Sequence, residues 1–185
     1  MGATEILAAV LGVINVVLVV RRSTLNYPFG IASVALYFFV FGHAKLYSDA
    51  LLQIFFLLIQ FYGWWAWVHA RHVDHGVAVG WMPWRARWPW IAGTAIAIIA
   101  WGTAMARLTD AAAPFVDATT AGLSVAAQCL QSLRRVESWA LWITVDIIAV
   151  GLFAWRELFV TAALYALFLI LSIVGLVEWR RKASA

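Results

Sequence analysis

The sequence predicts an all-α integral membrane protein with seven transmembrane helices, and three observations carry that prediction. Apolar residues make up 65% of the chain and charged residues 12%, with a mean hydropathy of +0.88. That leaves too little polar surface to coat a water-soluble globule. Apolar runs of spanning or slightly shorter length fall at 5–20, 27–42, 48–68, 89–106, 112–133, 138–155 and 158–178. They lack the alternation of barrel strands, so helices are the expected spanning form, each satisfying its own backbone hydrogen bonds. Third, the thirteen Lys and Arg residues segregate sharply once the gaps between these runs are assigned alternately to two sides.

Taken in order, the first run follows no basic segment and stops at Arg21-Arg22, so it reads as a first span rather than a cleavable signal. The second run, from residue 27, carries Pro28 near its start, and the fifth, from residue 112, carries Pro114, where proline's fixed φ would suit a helix start. The fourth begins at Pro89, after a loop at 69–88, and the seventh is followed by a basic tail at 180–185. Several runs are short for a crossing of ~17–25 residues and need interfacial extension. Trp64, Trp65, Trp67, Trp81, Trp84, Trp88, Trp90 and Trp179 are positioned to supply it as an aromatic belt.

Arg21, Arg22, Arg71, Arg85, Arg87, Arg134, Arg135, Arg180, Arg181 and Lys182 fall on one side, and only Lys45, Arg107 and Arg156 on the other. Cytoplasmic loops collect Lys and Arg. The expected topology therefore has the N-terminus outside and the C-terminus in the cytoplasm. The net charge of +4 reflects loops facing anionic lipid, and no basic helix or stacking platform suggests a nucleic acid. The single cysteine, Cys129, lies within an apolar run, which excludes an intrachain disulfide and reads as a small buried hydrophobe. No cofactor is implied.

A shift of 112 residues aligns 25–67 with 137–179 without a gap. Identities alone are weak evidence among apolar segments, but the punctuation agrees: Arg22 falls on Arg134, Tyr27 on Trp139, and both copies close with Gly-x-x-x-Trp. The expected architecture is 3+1+3, with spans 1–3 (residues 1–68) and 5–7 (112–179) as two three-helix units in parallel and span 4 (89–106) as linker. An odd linker is required for the second unit to enter in the same orientation as the first.

Ionisable residues inside a span are functional candidates, because leaving one in lipid costs ~2.5–3.5 kcal/mol on insertion scales. Asp146 lies half-way along span 6 and Asp117 in the outer third of span 5. On span 5, Asp117, Thr120, Ser124, Gln128 and Gln131 follow one helical face, which must meet protein or water. On span 6, Trp139, Trp142 and Asp146 sit at i, i+3 and i+7, setting two indoles and a carboxylate on one face. Such a face suits a planar cation, through stacking, cation–π attraction and counter-charge. Its alternative is helix packing. Gln53 and Gln60, seven apart on span 3, with Tyr37 on span 2 and Tyr165 on span 7, could bind hydroxyl or carboxamide groups or bridge helices.

Several motifs then stand out together: NYPFG at 26–30, LYSDALLQ at 46–53, YGWWAW at 62–67, PFVD at 114–117, VESWALWITVD at 136–146, TAALY at 161–165 and GLVEW at 175–179. In these the chain resembles the PnuC family of vitamin transporters. The resemblance implies a three-plus-one-plus-three fold related to the SWEETs, a homotrimer, and facilitated diffusion of nicotinamide riboside, trapped by intracellular phosphorylation for NAD biosynthesis. It maps the family's aromatic and amide site onto Trp139, Trp142, Asp146, Gln53 and Gln60. Position 146 is Asp here, where many nicotinamide riboside transporters of the family have Asn, so thiamine and riboflavin remain alternative substrates.

Without a carboxylate cage or relay chain in the spans, uniport by rocking of the two units is the expected mechanism. Gly30, Gly42, Gly63, Gly151, Gly175, Pro28, Pro89 and Pro114 are candidate hinges or close-packing residues. A different class of function would follow if His69, His72 and His75, at i, i+3 and i+6 beside Asp74, lay on one helix face and bound Zn²⁺ in a membrane metalloenzyme.

Overall fold

The computed structural model describes residues 2–43, 47–73, 75–108 and 113–183; Lys45, Asp74, residues 109–112 and residues 184–185 lie outside them. Seven helices account for nearly all of it: α1 (Ala3–Val20), α2 (Asn26–His43), α3 (Tyr47–Val68), α4 (Trp84–Leu108), α5 (Pro114–Ser132), α6 (Glu137–Trp155) and α7 (Phe159–Ala183). A two-stranded antiparallel hairpin, β1 (His72–Val73) and β2 (Gly76–Val77), follows α3. Five of the helices, α1, α3, α4, α6 and α7, are long and apolar enough to cross a membrane. α2 and α5 carry more polar residues. They are flanked by other helices, α2 by α1 and α3, and α5 by α3, α4 and α6.

Helices α1, α2 and α3 pack in sequence, as do α5, α6 and α7. Between these two groups the contacts are reciprocal: α1 meets α7, and α3 meets α5, while α4 packs on α5. The core sits near the ends of α3 and α7, where Val19, Tyr27, Trp67, Val77, Val136, Trp139 and Trp179 form one buried cluster. Trp67 and Trp179 stack at a tilt, 5.9 Å between ring centroids. Tyr27 meets Trp67 edge-on at 5.4 Å, and Trp139 meets Trp179 edge-on at 5.5 Å.

Two glycines make room for those rings. A Cβ on Gly63 would approach the Tyr27 hydroxyl to 2.6 Å, and one on Gly175 would approach the Trp139 ring to 2.5 Å. The indoles then bond across the group boundary: Trp67 Nε1 donates to the carbonyl of Ser132 (3.2 Å), and Trp179 Nε1 to that of Val19 (3.1 Å). Trp67 and Trp179 are therefore core residues, fully buried, and not members of the expected interfacial belt. Their indole N–H groups find carbonyls inside the protein, so they need no water. Trp64, Trp65, Trp81, Trp84 and Trp88 are exposed, as a belt requires.

α1 and α5 end alike. Arg22 and Arg134 adopt φ of 57° and 59°, and Ser23 N–H and Arg135 N–H reach back to the carbonyls of Leu18 and Leu130, the six-to-one bond of a Schellman end. This left-handed residue is usually glycine. Here the arginine side chains are used instead: Arg22 donates to the carbonyls of Val73 and Val77, and Arg134 to that of Ala66.

Three boundaries differ from expectation. α4 starts at Trp84 rather than at residue 89, so Pro89 lies inside the helix, where it removes one intrahelical bond. The helix can start early because Ala86 N–H bonds to the Pro83 carbonyl. α7 runs on to Ala183, taking Arg180, Arg181 and Lys182 into its last turn, where cations complement the helix dipole; they are not a separate tail. Residues 69–88 hold the hairpin and the first turn of α4 rather than a plain loop.

The seats of Gly63 and Gly175 generate a prediction. Gly175→Ala and Gly63→Ala overpack the aromatic cluster and should each cost ~1–3 kcal/mol, read as a lower midpoint of thermal unfolding in detergent. Gly151→Ala, where a Cβ meets nothing within 4 Å, should show no loss.

Candidate functional site

Asp146 stands at the middle of α6 and is buried, 4% exposed. Its Oδ2 accepts a 2.9 Å hydrogen bond from the Ser172 hydroxyl of α7. The partner is neutral, so an ionised carboxylate here keeps an unbalanced charge in a low-dielectric setting, which a cationic ligand can balance. Ser172 is itself 3% exposed.

The other two members of the α6 face are placed differently. Trp142 is half-buried, and its Nε1 donates to Gln131 Oε1 of α5 at 2.8 Å, which fixes the indole plane. Trp139 is fully buried in the aromatic cluster on Gly175, and its Nε1 has no hydrogen-bond partner. The face predicted from spacing therefore divides into a packed ring at its start, an oriented ring one turn on, and a buried carboxylate a further turn on.

The polar face of α5 also divides. Asp117 is exposed, and Thr120 bonds back to the carbonyls of Val116 and Asp117. Ser124 is half-buried, while Gln128 and Gln131 are buried, 7% and 8% exposed. Gln131, in the half near the α5–α6 turn, meets Trp142 of α6.

A second polar cluster lies in the first group of helices. Gln60 of α3 is 5% exposed, and its Oε1 has no hydrogen-bond partner; nor has Asn15 Oδ1 of α1, which is shielded from solvent. Both amides lean on Gly30 of α2: a Cβ there would lie 2.5 Å from Gln60 Nε2 and 2.9 Å from Asn15 Oδ1. Two buried acceptors without donors, beside a glycine that keeps space for them, suit a ligand bringing N–H or O–H groups. The sequence offset of 112 residues sets Gln60 on Ser172 and Gly30 on Trp142.

The remaining candidates are not drawn into either cluster. Tyr37 stacks on Phe41 at 5.6 Å, Tyr165 stacks on Phe153 at 5.3 Å and meets Phe168 edge-on, and Gln53 is half-buried on α3. Sequence reasoning missed Asn15 and Ser172. A lone Asn or Ser in an apolar run is ordinary, and only the packing of α1 on α2 and of α6 on α7 shows what each one faces.

Two surface grooves, about 320 Å³ on the outer face of α3 and about 440 Å³ between α1 and α7, are lined almost wholly by apolar and aromatic side chains and include none of these candidates. The His69, His72 and His75 arrangement is absent as a helical face. α3 ends at Val68, His69 Nδ1 lies 2.8 Å from the Trp65 carbonyl, and His72 and His75 belong to the hairpin and its turn. Among the described residues no group of three His, Cys, Asp or Glu is arranged to hold a metal ion.

Comparison with known proteins follows the same lines. A family model described as nicotinamide mononucleotide transporter matches residues 2–181. The nicotinamide riboside transporter PnuC of Neisseria mucosa is 30% identical, over 94% of this chain and 70% of that one. The nicotinamide riboside transporter PnuC of Escherichia coli (strain K12) is 24% identical, over 97% of this chain and 85% of that one. The riboflavin/roseoflavin transporter RibM of Streptomyces davaonensis is 26% identical, over 95% and 84%. A crystal structure of the vitamin B3 transporter PnuC matches with a TM-score of 0.81 at 29% identity, covering 98% of this chain and 82% of that one. The resemblance read from the motifs thus extends over nearly the whole chain and to its fold: the chain belongs to the nicotinamide mononucleotide transporter family, the PnuC-type vitamin transporters, and is a multi-pass membrane transporter rather than an enzyme.

Proposed function

We propose that this transporter carries nicotinamide riboside into the cytoplasm by facilitated diffusion, as a uniporter. Asp146 is the observation that carries the reading: a buried carboxylate at mid-helix, bonded to a neutral hydroxyl, one turn from the oriented indole of Trp142. Nicotinamide riboside bears a permanent charge on a flat pyridinium ring. The carboxylate balances that charge, the indole offers a π face, and Asn15 and Gln60 offer acceptors to carboxamide or ribose donors.

Transport needs the site to open alternately to each side. We read α1–α3 and α5–α7 as two parallel units with α4 as linker. The reciprocal bonds of Trp67 and Trp179, the matched glycine seats and the matched ends of α1 and α5 support that reading. Rocking of the units against each other would expose the polar clusters to each side in turn. The reading includes an N-terminus outside, a C-terminus in the cytoplasm of an inner-membrane protein, and assembly as a homotrimer. A uniporter only equilibrates its substrate, so phosphorylation inside the cell is what makes uptake net.

A second substrate has support from one relative, whose name assigns it riboflavin and roseoflavin. Flavin rings are neutral and bring no positive charge for the carboxylate to balance. Thiamine, a flat cation, would use it.

Calorimetry of the purified protein with nicotinamide riboside, thiamine and riboflavin separates these readings. Nicotinamide riboside should bind selectively, and Asp146→Asn should weaken it about tenfold, or ~1.4 kcal/mol. Riboflavin binding indifferent to Asp146→Asn would point to a flavin transporter, and thiamine preference that collapses in the same variant to a thiamine transporter. Asn15→Leu removes a buried acceptor that has no partner in the protein, so its thermal midpoint should hold or rise while riboside binding falls about tenfold. A midpoint that falls with binding intact would make Asn15 a structural residue. In proteoliposomes, an imposed Na⁺ or proton gradient should leave the rate of riboside entry unchanged; acceleration would overturn uniport.

A further inference from the structure

The segment between α3 and α4 ties the two groups of helices together on the basic side, and its two attachments differ in kind. The first is at the α1–α2 turn. Val77 is fully buried, its N–H bonds to the Arg22 carbonyl at 3.1 Å, and a Cβ on Gly76 would lie 2.9 Å from Arg22 Cβ. The Arg22 guanidinium, on a residue only 5% exposed, donates to the carbonyls of Val73 (3.2 Å) and Val77 (3.3 Å). Releasing this end would strand a buried charge, which is strongly disfavoured.

The second attachment is at the α5–α6 turn. Gly80 N–H bonds to the Arg134 carbonyl and Val136 N–H to the Gly80 carbonyl, both at 3.1 Å, forming a parallel bridge of Gly80 with Arg135. Met82 N–H then donates to the Glu137 carboxylate at 2.9 Å, and Arg87 pairs with the same carboxylate at 3.0 Å while lying over the Trp81 and Trp84 rings. Arg87 and Glu137 side chains are 33% and 17% exposed. Water can replace the Arg87–Glu137 pair at little cost, while Met82, 6% exposed, must be uncovered with it. Glu137 opens α6, the helix that carries Trp142 and Asp146.

The geometry points to residues 76–87 as a strap across the basic side of the bundle, fixed to the α1–α2 turn and released from the α5–α6 turn at Glu137 when the site opens to that side. The inference rests on the alternating-access reading above. In the strapped state the two turns are held at one separation. Freeing Met82, Gly80 and Arg87, together with the Trp67–Ser132, Arg134–Ala66 and Trp179–Val19 bonds that join the groups at the same level, lets the second group move while Val77 and Arg22 keep the strap in place for reclosure. Carrier cycles are gated by steps of this kind, in which a few polar contacts hold one face shut.

Gly80 and Arg135 are bridge neighbours, and a Cβ on Gly80 meets nothing within 4 Å, Arg135 Cβ included, a gap longer than the ~3.8 Å usual for a disulfide and suited to a short thiol-to-thiol cross-linker. In a Cys129→Ala background, Gly80→Cys with Arg135→Cys should, once joined by a methanethiosulfonate cross-linker, bind riboside by calorimetry yet transport it at least tenfold more slowly in proteoliposomes than after the link is reduced. Equal transport by the linked and reduced forms, with the link verified, would overturn the strap while leaving the proposed substrate standing. Loss of riboside binding in the unaltered protein would instead reject the substrate. Hydrogen exchange on Glu137→Gln guards against a double variant that fails to fold. Amides of Gly80 and Met82 should exchange at least tenfold faster than in the unaltered protein, with Val77 unchanged. Exchange that is unaltered at Gly80 and Met82, or that rises equally at Val77, would show that the strap has no separately releasable end.

Discussion

The two tryptophans that reach across the bundle are the constraint on which the other placements depend. Each of Trp67 and Trp179 sits against an aromatic ring seated on a glycine, and each gives its N–H to the terminal turn of a helix in the opposite group. Lipid offers apolar surfaces no hydrophobic drive to associate, so membrane helices are held by close packing and interhelical hydrogen bonds. Here both act at one place. The cluster gathers the ends of α1, α3, α5 and α7 into one level, and Asn15, Gln60 and Ser172 lie one to two turns away, with their polar atoms turned from the surface.

From that anchor the asymmetry of the two groups becomes intelligible. The second group supplies a charge, Asp146, with an oriented ring; the first supplies neutral amides with free acceptors, Asn15 and Gln60. On the proposed reading, a ligand's cationic end meets the charge of one group and its hydrogen-bond donors meet the acceptors of the other. On the basic side both turns take an N–H from the strap, the Arg22 carbonyl from Val77 and the Arg134 carbonyl from Gly80, while both arginine side chains donate to carbonyls elsewhere.

What could be read from the sequence was whatever lies within one helix or follows from composition. Trp139, Trp142 and Asp146 share a face because helical spacing alone puts them there, and the seven runs follow from hydropathy. The motifs carried the family. What could not be read were relations between helices. Trp67 and Trp179 look like interfacial tryptophans, since nothing local shows that Gly63 and Gly175 open a slot for their neighbours. Ser172 and Asn15 have no signal until α7 meets α6 and α1 meets α2. The hairpin strands are two residues each, too short for any alternation, and Pro89 inside α4 conceals that helix's true start.

The bond from Trp179 to Val19 has a consequence for the order in which the protein is made. Its donor is on the last helix and its acceptor on the first. Domains acquire structure from the N-terminus during synthesis, so α1 is in the bilayer while the residue that secures its end is still untranslated. Trp67, in contrast, is in place before α5 is made and can receive that helix as it arrives. The ribosome thus completes one half of the reciprocal clasp once α5 is made and the other only after α7, and a chain that stalls before α7 leaves α1 unfastened.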